Sequence, residues 1–317
     1  MRKYNEIIDL IEYSDRIYVS GHRGIDLDSF GSMLGIYSIC KKYKKEVKLY
    51  LEEEIDELSV NRAITGLHRR DFYLDYIHKY DDININDLLV IVDLNKDMLL
   101  PEYEQVINKF KNIIIIDHHI EKEVTIPSKI KYIDTNSSSV CEMLTYIIND
   151  LKITIEPYIA TIMLGGISID SNSFSNKTSS KTHLAASLLY DMGADNKLVN
   201  YLLKVDISEY KEINNIIENV KIIKNIYAVV YISDKIVDKE LLSKVSDELL
   251  TFNKIEASFT IGNLDNNTIG ISSRSLGHID VGIKMNKLGG GGHKYDAATS
   301  IKGKSIEEVY DELLEIL

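Results

Sequence analysis

Cysteine is nearly missing from this chain: Cys40 and Cys141 are the only two in 317 residues. Each lies in an apolar, helix-like context, which predicts two buried thiols in a reducing compartment rather than a disulfide scaffold. Positive charge is short as well, with 37 Lys and Arg against 49 Asp and Glu and a formal net charge of -12. That balance argues against a protein that grips long nucleic acid along a basic surface. A small phosphorylated substrate stays compatible with it, because bound cations and a few Lys or Arg reverse the sign locally. No stretch reaches the apolar length of a membrane span, and Met1-Arg2-Lys3-Tyr4-Asn5-Glu6 lacks the apolar segment of a signal peptide. The expectation is a soluble, cytoplasmic chain, either standing alone or cut from a membrane-anchored parent. With three prolines, no internal repeat and no low-complexity run, composition marks no linker.

What is present is alternation. Short β-like runs at Arg16–Ser20, Val47–Leu51, Leu88–Asp93, Ile113–Asp117 and Lys131–Asp134 are interleaved with helical stretches. Those helices are expected at Tyr4–Ile11, Ser29–Tyr43, Ser139–Leu151, Tyr158–Ile169 and Thr182–Met192. The pattern predicts an α/β domain with a parallel sheet and helices on both faces. Gly193-Ala194-Asp195 is a helix-stop signal. A second alternating region carries strands Ala228–Ser233, Ala257–Gly262 and Thr268–Ser273 with helices Lys239–Phe252 and Ser305–Leu317. At this length two domains are the default. The division expected is a catalytic domain over 1–193, a helical connector over 194–224 and a smaller α+β domain over 225–317.

Three strand candidates end in metal-capable side chains. Ile17-Tyr18-Val19 leads to His22, Asp26 and Asp28; Leu88-Leu89-Val90-Ile91-Val92 leads to Asp93; Ile113-Ile114-Ile115-Ile116 leads to Asp117, His118 and His119. Asp170 closes the apolar helical run Gly165-Gly166-Ile167-Ser168-Ile169. Singly, each has an ordinary explanation: a loop histidine, a helix-terminal carboxylate, a turn cap. Together they fall at the carboxyl ends of strands, where open α/β sheets bind ligands. A two-metal phosphoesterase needs such a mixture, with a carboxylate bridging two cations about 3.5–4 Å apart. The donor set suits Mn²⁺ among the common divalent ions.

His22-x-x-x-Asp26-x-Asp28, Asp93, Asp117-His118-His119 and Asp170 resemble the four motifs of the DHH phosphoesterase superfamily. Gly289-Gly290-Gly291-Gly292-His293 resembles the glycine-rich motif of its DHHA1 domain. The resemblance implies two Mn²⁺, with Mg²⁺ or Co²⁺ as substitutes. His22, Asp26 and Asp93 would hold one, and Asp28, Asp93, His118 and Asp170 the other. Asp117 would orient the neighbouring imidazole, and His119 would face a phosphate oxygen. A metal-held hydroxide would attack phosphorus in line, with no protein nucleophile. The resemblance also implies a homodimer.

In the second region a glycine run lets backbone N–H groups approach phosphate, although such runs are often only flexible loops. Nearby Ser273 and Arg274 shift the balance, since Arg grips phosphate with a planar fork. The resemblance implies that Ser273, Arg274, Gly290, Gly291, Gly292 and His293 bind the nucleotide, with Arg274 and His293 reaching it across an interdomain cleft.

Gly21-His22-Arg23, Ser137-Ser138-Ser139, Asp170-Ser171-Asn172-Ser173-Phe174-Ser175 and Ala297-Ala298-Thr299 are more similar to the GdpP-type cyclic-di-AMP phosphodiesterase branch than to the nanoRNA/pAp phosphatases. That implies cyclic di-AMP as substrate and linear pApA as product. One departure stands out: Leu94-Asn95 follow Asp93 where the family often has Thr-His. The alternatives are a nanoRNase or pAp phosphatase acting on short linear substrates, and a non-catalytic nucleotide sensor.

Overall fold

In the computed structural model, which describes residues 4–121 and 126–317, the run Leu88-Leu89-Val90-Ile91-Val92 lies in the buried centre of a six-stranded sheet. The chain divides into two units, Met1–Lys204 and Val205–Leu317. The first begins α1 (Asn5–Tyr13), β1 (Arg16–Ser20), α2 (Leu27–Lys42), β2 (Glu46–Tyr50), α3 (Leu58–His68) and β3 (Tyr76–Ile77). It continues β4 (Leu88–Val92), α4 (Tyr103–Lys109), β5 (Asn112–Asp117), β6 (Ile130–Ile133), α5 (Val140–Asp150), α6 (Pro157–Asp170), α7 (Ser180–Asp191) and α8 (Asn196–Leu202).

The strand order is β3-β2-β1-β4-β5-β6, and every pairing is parallel. The order reverses between β1 and β4, so their carboxyl ends open a crevice of the kind that holds ligands in doubly wound sheets. Both faces are covered, which explains why the strands read as unbroken apolar runs. Ile17, Val19, Leu88, Val90, Val92, Ile114 and Ile116 point into a large core with α1, α2, α5 and α6. Their neighbours Tyr18, Leu89, Ile91, Ile113 and Ile115 point the other way, against Leu100, Val106 and Phe110.

Helix α2 has almost no polar face, the signature of a helix buried on all sides. It starts where Asp26 accepts from the Ser29 N–H at 2.9 Å. Glycine lets α6 lie hard against it: a Cβ on Gly166 would sit 2.8 Å from Asp28 Cα and 2.8 Å from Cys141 Sγ. This close approach brings Asp28, in the first turn of α2, near Asp170 at the end of α6.

The second unit runs α9 (Ile207–Ile217), β7 (Lys221–Ile223), β8 (Tyr227–Ile236), α10 (Lys239–Leu249), β9 (Ala257–Asp265) and β10 (Thr268–Ser275). Then follow α11 (Val281–Lys287), β11 (Gly291–Gly292), β12 (Asp296–Lys302) and α12 (Ile306–Ile316). Its sheet has the order β11-β12-β10-β9-β8-β7, antiparallel except for the β8–β9 pair. Val281, Met285, Val309 and Leu313 cover one face, and Ile216, Leu242, Val245 and Leu249 the other.

The stretch expected as a connector over 194–224 is split between the units. Val199 and Leu202 of α8 are buried in the first core, while Ile216 of α9 is buried in the second. The boundary falls at Lys204. Both cysteines are free and buried, as their sequence context predicts.

Candidate metal centre and phosphate-facing residues

The loop between β1 and α2 supplies the first cluster. The Nδ1 of His22 lies 2.8 Å from the Arg23 carbonyl. Donation there would leave Nε2 free to take a cation, the usual way an outer hydrogen bond fixes an imidazole. That Nε2 lies 3.7 Å from Asp26 Oδ2 and 3.5 Å from Asp93 Oδ2. Asp26 therefore divides its work, capping α2 with Oδ1 and facing His22 with Oδ2. Asp93 follows β4 in the left-handed backbone region, with φ of 58°. Such a conformation costs a non-glycine residue on the order of 1–3 kcal/mol and is concentrated at functional sites.

The two oxygens of Asp93 serve different neighbours. Oδ2 faces His22, while Oδ1 lies 3.4 Å from His118 Nε2. His118 Nε2 is also 3.1 Å from Asp170 Oδ2. Neighbouring ligands of an octahedral cation held at about 2.1 Å stand roughly 3 Å apart. The observed separations are close to that spacing. Asp93 Oδ1, His118 Nε2 and Asp117 Oδ2 are buried without a hydrogen-bond partner. Buried polar atoms are otherwise nearly always satisfied, so these three fit a cation as their missing partner. His22, Asp26 and Asp93 form one group able to hold a metal; Asp28, His118 and Asp170 form another; Asp93, Asp117, His118 and His119 form a third.

The surroundings set the protonation. Burial opposes charge on His22, yet the facing carboxylates of Asp26 and Asp93 outweigh it and raise its imidazole to about 11. His118 likewise resists charging through burial, but Asp170 and Asp93 raise it to about 11. For Asp93 burial favours the neutral acid, and the facing imidazoles of His118 and His22 prevail, holding it well below the usual carboxylate range. Burial raises Asp170 to about 6, with the nearby His118 imidazole opposing and the Asp93 and Asp26 charges adding. Asp28 is raised by burial and by the charges of Asp170 and Asp93.

Asp28 has a second task that sequence reading did not foresee. Its oxygens accept from the Val140 N–H at 2.8 Å and the Cys141 N–H at 2.9 Å, fixing the start of α5. Asp117 Oδ1 accepts from the His118 and His119 N–H groups at 2.8 and 3.2 Å and lies 2.9 Å from His119 Nδ1. The imidazole it orients is thus that of His119, which is exposed.

His22, Asp26, Asp93, Asp117, His119 and Asp170 line one cavity of about 180 Å³. Leu94, Asn95, Lys96 and Leu99 line it too. Of these, sequence reading singled out only Leu94 and Asn95, as a departure from a motif. Three other histidines have local partners: His183 stacks on Phe174, His68 stacks on Tyr73, and His78 Nδ1 lies 2.8 Å from the Leu51 carbonyl.

In the second unit, Arg274 is half-buried and held: Nε donates to Asp247 Oδ1 at 2.8 Å, and Nη1 to the Ser273 carbonyl at 3.1 Å. Ser273 departs from the expectation of a substrate contact. Its side chain is fully buried and donates to the Ala297 carbonyl at 2.7 Å, tying β10 to β12. The glycine run also has a packing role. A Cβ at Gly290 would lie 2.3 Å from the Ala298 carbonyl oxygen, and one at Gly292 2.3 Å from Ala297 Cα. Gly291 has only Asn286 Oδ1 near it, at 3.7 Å, and His293 is exposed.

A family model described as the DHH family, N-terminal domain, matches residues 16–167, and one described as the DHHA1 domain matches residues 223–317. The cyclic-di-AMP phosphodiesterase GdpP of Bacillus subtilis is 32% identical over 315 residues, covering 96% of this chain and 48% of that protein. The chain thus spans about half the length of that relative. The bifunctional oligoribonuclease and PAP phosphatase NrnA of Mycoplasma genitalium is 26% identical over 317 residues, covering 94% of this chain and 92% of that protein. The crystal structure of an exopolyphosphatase-related protein from Bacteroides fragilis matches with a TM-score of 0.80 at 20% identity, covering 99% of this chain and 95% of that one. That likeness is one of fold.

Proposed function

The chain belongs to the DHH family of phosphoesterases, carrying a DHHA1 domain, and from that membership we propose a divalent-metal phosphodiesterase that opens cyclic di-AMP to linear 5'-pApA. The observation that carries this reading is the division of the Asp93 carboxylate between His22 and His118. One carboxylate shared by two imidazole–carboxylate clusters is what a pair of adjacent cations requires.

His22, Asp26 and Asp93 would hold one cation; Asp28, Asp93, His118 and Asp170 would hold the other. Mn²⁺ fits the mixed donor set, with Mg²⁺ or Co²⁺ as substitutes. When bound, such a pair neutralises phosphate charge and makes water nucleophilic at neutral pH. The chain's own residues do the rest. Asp117 holds His119 by Nδ1, leaving Nε2 to bond a phosphate oxygen. In the second unit, Arg274, kept in place by Asp247, would bind phosphate through its guanidinium, and His293 and the Gly291 backbone are further phosphate-binding groups in this reading. The reaction adds one water and breaks one P–O bond, so the ring opens without a protein-bound intermediate.

Similarity to GdpP over nearly the whole chain favours the cyclic substrate. A second reading, a nanoRNase or pAp phosphatase, is favoured by the match to NrnA, which covers nearly all of both chains. Product analysis with Mn²⁺ and cyclic di-AMP, pApA and pAp in parallel separates them. Cyclic di-AMP passing to stable pApA supports the proposal. Loss of pApA or pAp with cyclic di-AMP untouched assigns the second reading. Tight binding without turnover of any of the three makes the chain a nucleotide sensor. The assembly proposed is a homodimer, which light scattering tests. Among the described residues no helix is long and apolar enough to cross a membrane.

A further inference from the structure

Asn95 is the least expected residue around the cavity. It follows Asp93 by two positions, is almost fully buried, and lines the same space as His22, Asp93 and His119. Leu94 anchors the turn by burying its side chain beside the core that holds Leu100 and Ile126. Asn95 then makes two bonds to the chain beyond β5. Its Nδ2 donates to the His119 carbonyl at 3.2 Å, and its own carbonyl accepts from the Ile126 N–H at 3.2 Å. Its Oδ1 is buried with no partner.

An unpaired buried amide oxygen carries a desolvation cost that an apolar side chain of similar size avoids. The return on that cost within the protein is a single side-chain bond, and it ends on His119. Asp117 fixes the His119 ring from one side; Asn95 fixes its backbone from the other. We propose that Asn95 is a positioning residue for His119, setting where the imidazole meets the phosphate. The inference rests on the phosphoesterase reading, in which His119 touches substrate.

A double-mutant cycle tests it, using intact protein loaded with Mn²⁺ and whichever of cyclic di-AMP, pApA or pAp the parent turns over. Asn95→Ala is expected to lower kcat about tenfold or more, since small misplacements of a catalytic group carry effects of that order, with KM changed less than about threefold. In a His119→Ala background the same substitution is expected to add less than about twofold, because the backbone bond remains but the ring whose position it sets is gone. Asn95→His, which restores a ring N–H donor, is expected to recover most of the rate. Asn95→Leu, similar in size but without a donor, is expected to be as slow as Asn95→Ala while melting no lower than the parent. Multiplicative losses in the cycle, or a fully active Asn95→Leu, overturn the proposal. If the parent turns over none of the three, the phosphoesterase reading fails, and the imidazole ¹⁵N–¹H spectrum decides the inference. With His119 assigned by His119→Ala, Asn95→Leu is expected to move the His119 ring signals and leave those of His22 in place. An unmoved His119 signal refutes it.

Discussion

Cation binding to this site should expel protons, and the number follows from its geometry. His22 and His118 are each raised from an ordinary 6.5 to about 11 by paired carboxylates. At pH 7.5 both imidazoles are therefore charged, whereas a cation takes the neutral ring. Loading both clusters releases about one proton from each ring, and the buried Asp28 carboxyl, itself raised, can only add to that number. Each proton is worth about 1.4 kcal/mol per pH unit, so the combined affinity for two cations should rise by about 2.7 kcal/mol, or roughly a hundredfold, per unit. Below pH 6, where Asp170 is partly protonated, a further proton joins the count.

Calorimetric titration with Mn²⁺ at pH 7.5, in buffers of differing ionisation enthalpy, gives the proton number as a slope. The expected value is about two or more, falling by about one in His118→Ala. A slope near zero in the parent would refute the assignment of both rings as ligands. The sign also fixes the stability of the cation-free protein. The folded imidazoles lie above their unfolded value, so their contribution is fully present below about 6.5 and is lost as pH rises through about 11. Asp93 behaves oppositely: it is depressed, and its contribution fades only as pH falls below the ordinary 3.8.

Asp93→Asn should lower turnover by at least about a hundredfold while circular dichroism stays that of the parent, because the change removes a charge central to the site. Full activity in that variant would sink the two-cation reading. Gly166→Ala should lower stability by about 1 kcal/mol or more in a denaturant melt. The new Cβ meets Asp28 Cα, which no rotamer change relieves, and overpacking outweighs the roughly 1 kcal/mol gained in helix propensity. Burial lifts Cys40 to about 12 and raises Cys141 well above its usual value, so a thiol reagent should modify neither until the protein unfolds, and then both.

The first sheet was legible because it is buried on both faces. β4 and β5 show no polar alternation, and strands of that kind announce themselves as apolar runs. The carboxyl ends of β1, β4 and β5 could then be read for candidate ligands, which is how His22, Asp26, Asp93 and His118 came to attention, while Asp170 was picked out at the end of the apolar run that forms α6. Helix α4 was missed because it has seven residues and buries only Val106, leaving no period to detect. Helix α3 contains Val60, Ile64, Thr65 and Gly66, poor helix formers held by packing. Strand β12 is made largely of small residues and owes its existence to its pairing with β10. Ser273 was misjudged for a related reason. Ser272 and Ser273 point to opposite faces of β10 and both are buried, and composition does not say what each hydroxyl bonds.

The site residues share a construction that residue types alone do not reveal. Several of the candidate groups use some of their polar atoms to fix themselves and keep another free. His22 gives Nδ1 to Arg23 and keeps Nε2; Asp26 gives Oδ1 to the α2 cap and keeps Oδ2; His119 gives Nδ1 to Asp117. Arg274 gives Nε to Asp247 and Nη1 to the Ser273 carbonyl. Long or mobile side chains held this way lose little further freedom when a ligand arrives, so the cost of ordering falls on folding instead of on binding. Sequence names the donors and acceptors, while the fold decides which atom of each is left over. Asp117 and Asp247 act in this way on two of the proposed substrate contacts, engaging His119 Nδ1 and Arg274 Nε and leaving the other nitrogens over.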